Sequence, residues 1–222
     1  MSRIIQGNCL DIMPTFPDRC VDLVLTDPPY LVNYKDRSGR TIEGDKEGSW
    51  LIPAFQEVHR VLRQNTMCIS FYGWNQVDQF SGAWRAAGFR VVGHIVFAKP
   101  YASKSRFLRY QHESAYLLAK GMPDLPDNPP SDVMPWQYSG NRFHPTQKPV
   151  SILSTLIETF SKPRDIVLDP FAGSGSTGVA ALQTGRRFVG IELDRKYHAA
   201  AEQRITAIGW QGRGHQQERW AA

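Results

Sequence analysis

The chain has 222 residues, 41% of them hydrophobic and 21% charged, with a formal net charge of +5. That is enough for one domain with a full apolar core, and no apolar run approaches the roughly 20 residues of a membrane span. Cys9, Cys20 and Cys68 are odd in number and lack metal-ligand spacing, which argues against a disulfide framework or a zinc site and for reduced packing residues. The surplus of Lys and Arg favours a polyanionic partner. The amino terminus has no long apolar region, so the expected location is cytoplasmic.

Residues 4–12 read as a short strand and a turn that presents Asn8, Cys9 and Asp11. The run Val21-Asp22-Leu23-Val24-Leu25-Thr26 reads as a buried strand that delivers Asp27-Pro28-Pro29-Tyr30 to an edge of the sheet. Neither proline has an N–H to donate and both have φ fixed, so the tetrapeptide cannot continue a ladder. It forms a rigid turn offering one carboxylate, one backbone carbonyl without a strand partner, and one aromatic ring. Two acceptors beside a flat ring suit an amino group on a planar heterocycle. Taken alone, the same four residues also describe an ordinary turn after a strand.

Residues 33–48 are dense in charge and glycine and have no apolar period. That composition fits a flexible lid or binding loop, or a solvated surface loop. Leu51, Phe55, Val58 and Leu62 then mark one face of an amphipathic helix. Residues 67–72 read as a buried strand ended by Gly73, and Val77, Phe80 and Trp84 as a helix closed by Gly88. The runs 91–98 and 114–119 are expected to pair antiparallel, with the basic segment 99–109 as their long connection. Between 121 and 140, Pro123, Pro126, Pro129, Pro130 and Pro135 are expected to prevent regular structure and leave a loop or small insertion. His144-Pro145-Thr146-Gln147-Lys148-Pro149 leads into a helix with Ile152, Leu153, Leu156, Ile157 and Phe160 facing inward. Pro149 suits its first turn.

Residues 165–169 read as a strand, 170–177 as a glycine-rich turn, Gly178 to Leu182 as the opening of a helix, and 187–191 as a strand ending at Glu192. This is a nucleotide-binding βαβ unit, in which glycines admit the ligand to the backbone and the terminal acid accepts ribose hydroxyls. Gly173, Gly175 and Gly178 formally satisfy G-x-G-x-x-G, so the glycines do not by themselves exclude a dinucleotide. Asp169 argues otherwise. A carboxylate repels a pyrophosphate but attracts a sulfonium or an α-amino group, and Asp27 has the same preference. A cofactor with a cationic end and a ribose end, S-adenosylmethionine, suits both. A last helix from Tyr197 through Ile205 precedes a polar tail at 211–222.

Together, Asp27-Pro28-Pro29-Tyr30 and Asp169-Pro170-Phe171-Ala172-Gly173-Ser174-Gly175-Ser176-Thr177 resemble the amino-methylating (adenine-N6/cytosine-N4) DNA methyltransferases. The catalytic motif precedes the cofactor motif, as in their β group, and the similarity runs through nearly the whole chain. The resemblance implies an α/β, Rossmann-like S-adenosylmethionine-dependent methyltransferase fold: a mostly parallel sheet with an antiparallel strand pair and helices on both faces, in a single catalytic domain. It implies catalytic roles for Asp27, Pro28, Pro29 and Tyr30. It implies cofactor contacts from Cys9, Leu10, Asp11, Asp27, Lys148, residues Asp169 to Thr177, Glu192 and Leu193. His144 to Pro149 is similar to the family's helix-opening motif beside the cofactor loop. Glu192 with Asp194 and Tyr197 is similar to its ribose-binding strand end, and Asn8 to Asp11 to its amino-terminal element, where Gly-Asp is commoner than Gly-Asn. D-P-P-Y is typical of adenine enzymes and S-P-P-Y of cytosine-N4 enzymes, which favours adenine.

The partner so implied is double-stranded DNA, whose target base must leave the duplex to reach the turn. Phosphate contacts are expected from Lys35, Arg37 and Arg40 and from Lys104, Arg106 and Arg109, with the 121–140 insertion as the candidate reader of sequence. So small a recognition region implies a short target site or a second subunit, as in a homodimer. Competing readings are cytosine-N4 methylation, methylation of a protein or RNA amine, a DNA-binding regulator without turnover, and an NAD enzyme. The protein and RNA enzymes usually carry Asn first in the turn and the glycine loop upstream of it, the reverse of the order here.

Overall fold

The computed structural model describes residues 2–33, 45–102, 104–105, 107–136 and 148–208. Expectations placed on residues 34–44, on Arg106, on His144 to Gln147 and on the tail after 208 lie outside the described residues.

The chain opens with strand β1 (Arg3–Gln6) and a single helical turn, α1 (Cys9–Ile12), where the sequence pattern predicts only a turn. Asn8 causes the difference, because its side chain accepts from the Leu10 N–H and caps the turn. Strand β2 (Val21–Thr26) is buried throughout. Its Val24 packs into one apolar cluster and its Leu23 and Leu25 into another, so the strand is covered on both faces. That is why it reads as a continuous apolar run rather than an alternating one. Helix α2 (Leu51–Val61) runs straight into β3 (Leu62–Phe71), and α3 (Val77–Ala86) follows. Next come β4 (Arg90–Ala98), a minor hairpin of β5 (Lys104–Ser105) and β6 (Arg109–Tyr110), then β7 (His112–Lys120) and β8 (Val133–Pro135). The last part is α4 (Val150–Phe160), β9 (Ile166–Asp169), α5 (Ser176–Gln183), β10 (Arg187–Glu192) and α6 (Arg195–Ala207).

Among the described residues, eight strands form one sheet in the order β1-β10-β9-β2-β3-β7-β4-β8. The first five are mutually parallel, and β7 runs antiparallel to both β3 and β4, which includes the strand pair expected from the sequence. Phe55 and Trp84, from α2 and α3, fill the core on one face; Leu153 and Ala180, from α4 and α5, fill it on the other. Among the described residues no helix is long and apolar enough to cross a membrane.

The proline-rich stretch corrects an expectation. Residues 133–135 form an edge strand, parallel to β4, in spite of Pro135. The Trp136 N–H reaches the Ala98 carbonyl, so by alternation residue 135 turns its nitrogen away from the ladder, where a missing N–H costs nothing. Two helix starts also move. Helix α5 begins at Ser176, because Gly175 at φ 80° turns the chain directly into it. Helix α6 begins at Arg195, capped by Asp194, which accepts from the Lys196 and Tyr197 N–H groups.

Sheet order determines which side chains meet. The carboxyl ends of β10, β9, β2 and β3 lie on one edge, and antiparallel β7 brings its first residues to that same edge. Read along it are Glu192, Asp169, Asp27, Phe71, Glu113 and, just past β4, Lys99.

Candidate active site

Asp27 leaves β2 half-buried, with both carboxylate oxygens engaged. The Tyr30 hydroxyl donates to Oδ1 at 2.8 Å, and Lys148 Nζ, 121 positions downstream, donates to Oδ2 at 2.5 Å. Burial pushes the Asp27 carboxyl above its ordinary range, with Lys148 pulling the other way. Burial, then the charge of Asp27, keeps the Tyr30 phenol protonated and therefore a donor. Among the described residues no donor reaches the Pro28 carbonyl. The turn packs tightly on the end of β3, where a Cβ at Gly73 would stand 2.8 Å from the Tyr30 carbonyl oxygen.

Two groups that no motif pointed to complete this end. Glu113 Oε1 accepts from Lys99 Nζ at 2.6 Å, and its Oε2 faces Lys148 Nζ at 3.1 Å. Burial acts to raise the Glu113 pKa, but Lys148 and Lys99 outweigh it and hold the carboxyl below its usual value. Burial acts to lower Lys148, and Asp27 and Glu113 outweigh that in turn. The result is a charge-balanced chain: Asp27, Lys148, Glu113, Lys99. Its one legible sign is a carboxylate and an ammonium at the ends of otherwise apolar strands.

At the other end, Asp169 is 2% exposed. Its Oδ1 accepts from the Phe171 N–H at 3.1 Å and its Oδ2 from the Thr177 hydroxyl at 2.7 Å. No salt bridge reaches it among the described residues, and burial raises its pKa to about 7. Glu192 ties two turns together, accepting from the Gly173 N–H at 2.7 Å and from the Asp194 N–H at 2.8 Å. Burial raises its carboxyl too. Arg204, on α6, donates to the Ser174 carbonyl at 2.6 Å and pins the glycine-rich turn from behind.

A single cleft of about 800 Å³ joins the two ends. Its wall includes Asp27, Pro28, Pro29, Tyr30 and Lys148, continues through Asp169, Pro170, Phe171, Ala172, Gly173, Ser174, Ser176 and Thr177, and ends at Cys9, Glu192 and Leu193. Leu10, Asp11 and Gly175 are not on it. Leu10 packs against the core, Asp11 is exposed, and Gly175 lies under α6, where a Cβ would come within 2.9 Å of the Ala201 Cβ. Cys9 is buried, which pushes its thiol up to about 12 and leaves it a neutral wall group. Of the candidate phosphate contacts, Arg109 is exposed on β6 and Lys104 is described by its backbone in β5. Lys35, Arg37, Arg40 and Arg106 lie outside the described residues.

The DNA methylase family profile matches residues 21–203 of this chain. YubD of Escherichia coli (strain K12) is 60% identical over 208 residues, spanning 94% of this chain and 92% of YubD. The DNA adenine methyltransferase YhdJ of the same strain is 31% identical over 237 residues, spanning 87% of this chain and 79% of YhdJ. Among solved structures, the M1.HpyAVI–SAM complex superposes with a TM-score of 0.74 at 24% identity, covering 92% of this chain and 99% of that one. The cytosine-N4-specific PvuII DNA methyltransferase superposes with a TM-score of 0.76 at 18% identity, covering 92% and 86%. At these identities the structural likeness is one of fold, and the expected Rossmann-like methyltransferase architecture is the one found.

Proposed function

This chain belongs to the DNA methylase family and is a methyltransferase of its amino-methylating kind; from that premise we propose that it methylates the N6 amine of adenine in double-stranded DNA, with S-adenosylmethionine as donor. One observation carries the reading. The Asp27 carboxylate, the Pro28 carbonyl and the Tyr30 ring stand on one rigid turn, and that turn opens onto the same cleft as Asp169 and Glu192.

The cleft suits the donor. Its volume of about 800 Å³ lies within the roughly 300–1,000 Å³ of ligand pockets. Glu192 would hold the ribose with the lone pairs that its two backbone bonds leave over, and buried Asp169 offers a carboxylate to a cationic group. When bound, S-adenosylmethionine supplies a methyl group on a sulfonium, whose carbon–sulfur electron pair stays with sulfur.

The protein's own contribution is positioning. An aromatic amine is a poor nucleophile because its lone pair is delocalised into the ring. Asp27 and the Pro28 carbonyl accept its two hydrogens, favouring a pyramidal nitrogen with its lone pair turned toward the glycine-rich turn. Tyr30 supplies the stacking face. Asp27 takes the proton that the amine sheds, a role suited to a carboxyl raised by burial. D-P-P-Y and the likeness to YhdJ, a DNA adenine methyltransferase, favour adenine over cytosine. For DNA contact there is the hairpin of exposed Arg109, whose Tyr110 stacks on Trp74 at 5.9 Å and whose tip carries fully exposed Phe107.

The test offers duplex DNA, RNA and protein separately with labelled S-adenosylmethionine, then digests and identifies the methylated product by mass spectrometry. N6-methyladenine from the duplex alone is the expected result. N4-methylcytosine, or label confined to the RNA or protein arm, would overturn the reading.

A further inference from the structure

Asp27 already serves the Tyr30 hydroxyl with Oδ1 and the Lys148 ammonium with Oδ2; each oxygen keeps a lone pair, but an amine arriving there shares the carboxylate with a cation that holds its charge. The ammonium is the obstacle, because it sets a full positive charge against the carboxylate where Tyr30 brings only a neutral hydroxyl. Lys148 is almost fully buried, so if it left Asp27 for nothing the ammonium would stand unpaired in a low-dielectric site. A second anion is already in place. Glu113 Oε2 lies 3.1 Å from the same Nζ, buried, facing it without an aligned hydrogen bond, while Oε1 is held by Lys99.

We propose that Glu113 is a positioning residue for methyl transfer: it takes over the Lys148 ammonium when the target amine claims Asp27, and returns it afterwards. The exchange moves no net charge, because the same two carboxylates and two ammonium groups stay within one buried cluster while Glu113 holds both cations. It also frees Asp27 as a proton acceptor at the moment the methylated amine must lose a proton, since a carboxylate released from a cation is the stronger base. The inference rests on the reading of Asp27 as the amine's acceptor. The charged and titratable groups facing Asp27 are Tyr30 on its own turn, Lys148 ahead of α4, Glu113 on β7 and Asp169 at the end of β9, with Lys99 past β4 facing Glu113.

Glu113→Gln tests it, with Glu113→Asp as the variant that keeps the charge but draws it back from Lys148. Initial rates of methyl transfer to duplex genomic DNA from a host lacking the gene are measured across pH, alongside circular dichroism and the KM for S-adenosylmethionine. In Glu113→Gln the carboxylate left to Lys148 among the described residues is Asp27, so kcat falls about 30-fold, as expected for loss of a charged acceptor. Its KM for S-adenosylmethionine stays near wild type. Removing the negative charge of Glu113 also lets Lys148 act unopposed on Asp27, so the acid limb of the kcat/KM profile moves to lower pH. Glu113→Asp loses less activity and leaves that limb in place. A folded Glu113→Gln variant with wild-type kcat and an unmoved limb overturns the proposal, as does a rate loss with no movement of the limb, which packing damage alone would give. Failure of the wild type itself to methylate DNA would instead strike the functional reading.

Discussion

Asp169 gives the sharpest physical prediction. Its carboxyl is raised from 3.8 to about 7 by burial. Between those values the unfolded chain has released the proton while the folded chain keeps it, so stability falls as pH rises through the window and levels off above about 7. Each unit of pKa difference is worth about 1.4 kcal/mol, so ionising this one group destabilises the fold by on the order of 4 kcal/mol. Asp169→Asn keeps the shape and one acceptor but does not titrate. The assay is urea unfolding of both proteins at several pH values, plotted as the difference between them, which cancels the contributions of Asp27, Glu113 and Glu192. Relative to the variant, the wild type should lose about 3 kcal/mol between roughly pH 5 and pH 8, or some 6–12 °C in melting temperature for a domain of this size. A cationic ligand beside Asp169 pulls the proton off again, so S-adenosylmethionine should bind with proton release near neutral pH, measured as a dependence of calorimetric heat on buffer. A pH-independent difference between the two proteins would show that Asp169 is already ionised, and the electrostatic reading of this end of the cleft would fall.

Asp27→Ala should lower kcat by about 10²–10³-fold with the circular dichroism spectrum intact, the size of effect expected when a positioned polar group is removed; near-normal turnover would refute the proposed chemistry. Tyr30→Phe removes the bond to Asp27 but keeps the ring, whereas Tyr30→Ala forfeits base stacking worth about 1–3 kcal/mol, so DNA binding should weaken markedly only in the second. Equal affinities for Phe and Ala would remove Tyr30 as the stacking face. Gly175→Ala places a Cβ 2.9 Å from the Ala201 Cβ at a φ of 80°, and urea unfolding should show a loss of about 1–3 kcal/mol. Arg109→Ala should weaken DNA binding equally across sequences and flatten the log–log salt slope by about 1; an unchanged slope would place the phosphates elsewhere.

The two turns were legible in the sequence because each is a local event. Pro28 and Pro29 end β2 wherever they stand, and Gly175 must turn the chain at φ 80° whatever its neighbours. The buried strands were legible for a similar reason, since cover on both faces leaves an uninterrupted apolar run. Partnerships between distant residues were not. Lys148 reads as one member of a helix-opening motif, and nothing local says that its ammonium lies on a carboxylate 121 positions away. Glu113 and Lys99 carry no motif; the antiparallel course of β7 brings Glu113 to the edge that holds Asp27, and the end of β4 brings Lys99 to Glu113. Asp194 reads as a ligand residue and is held as a helix cap, because the same carboxylate geometry serves either acceptor role. Pro135 misled because the rule against proline in strands applies to interior strands, and edge position is a property of the whole sheet.

The place of the cleft follows from the topology more than from any single residue. Strands β9 and β2 are hydrogen-bonded neighbours, paired through Leu23 with Val167 and Val24 with Leu168. After β9 the chain crosses through α5 to β10 on one side; after β2 it crosses through α2 to β3 on the other. The two connections diverge, and a crevice opens beyond the carboxyl ends of exactly these strands, as at any such reversal of strand order. Extending that register sets Leu25 opposite Asp169, so Asp27 stands one strand over and two residues further along, roughly 8 Å away at the backbone. A donor seated over one strand and an acceptor over the next are held in register by main-chain hydrogen bonds, not by the loops that carry them. The geometry is indifferent to which turn comes first in the chain. What it requires is that both turns follow adjacent parallel strands, and a Glu113 carried in from the opposite direction extends the same edge by one more charged group.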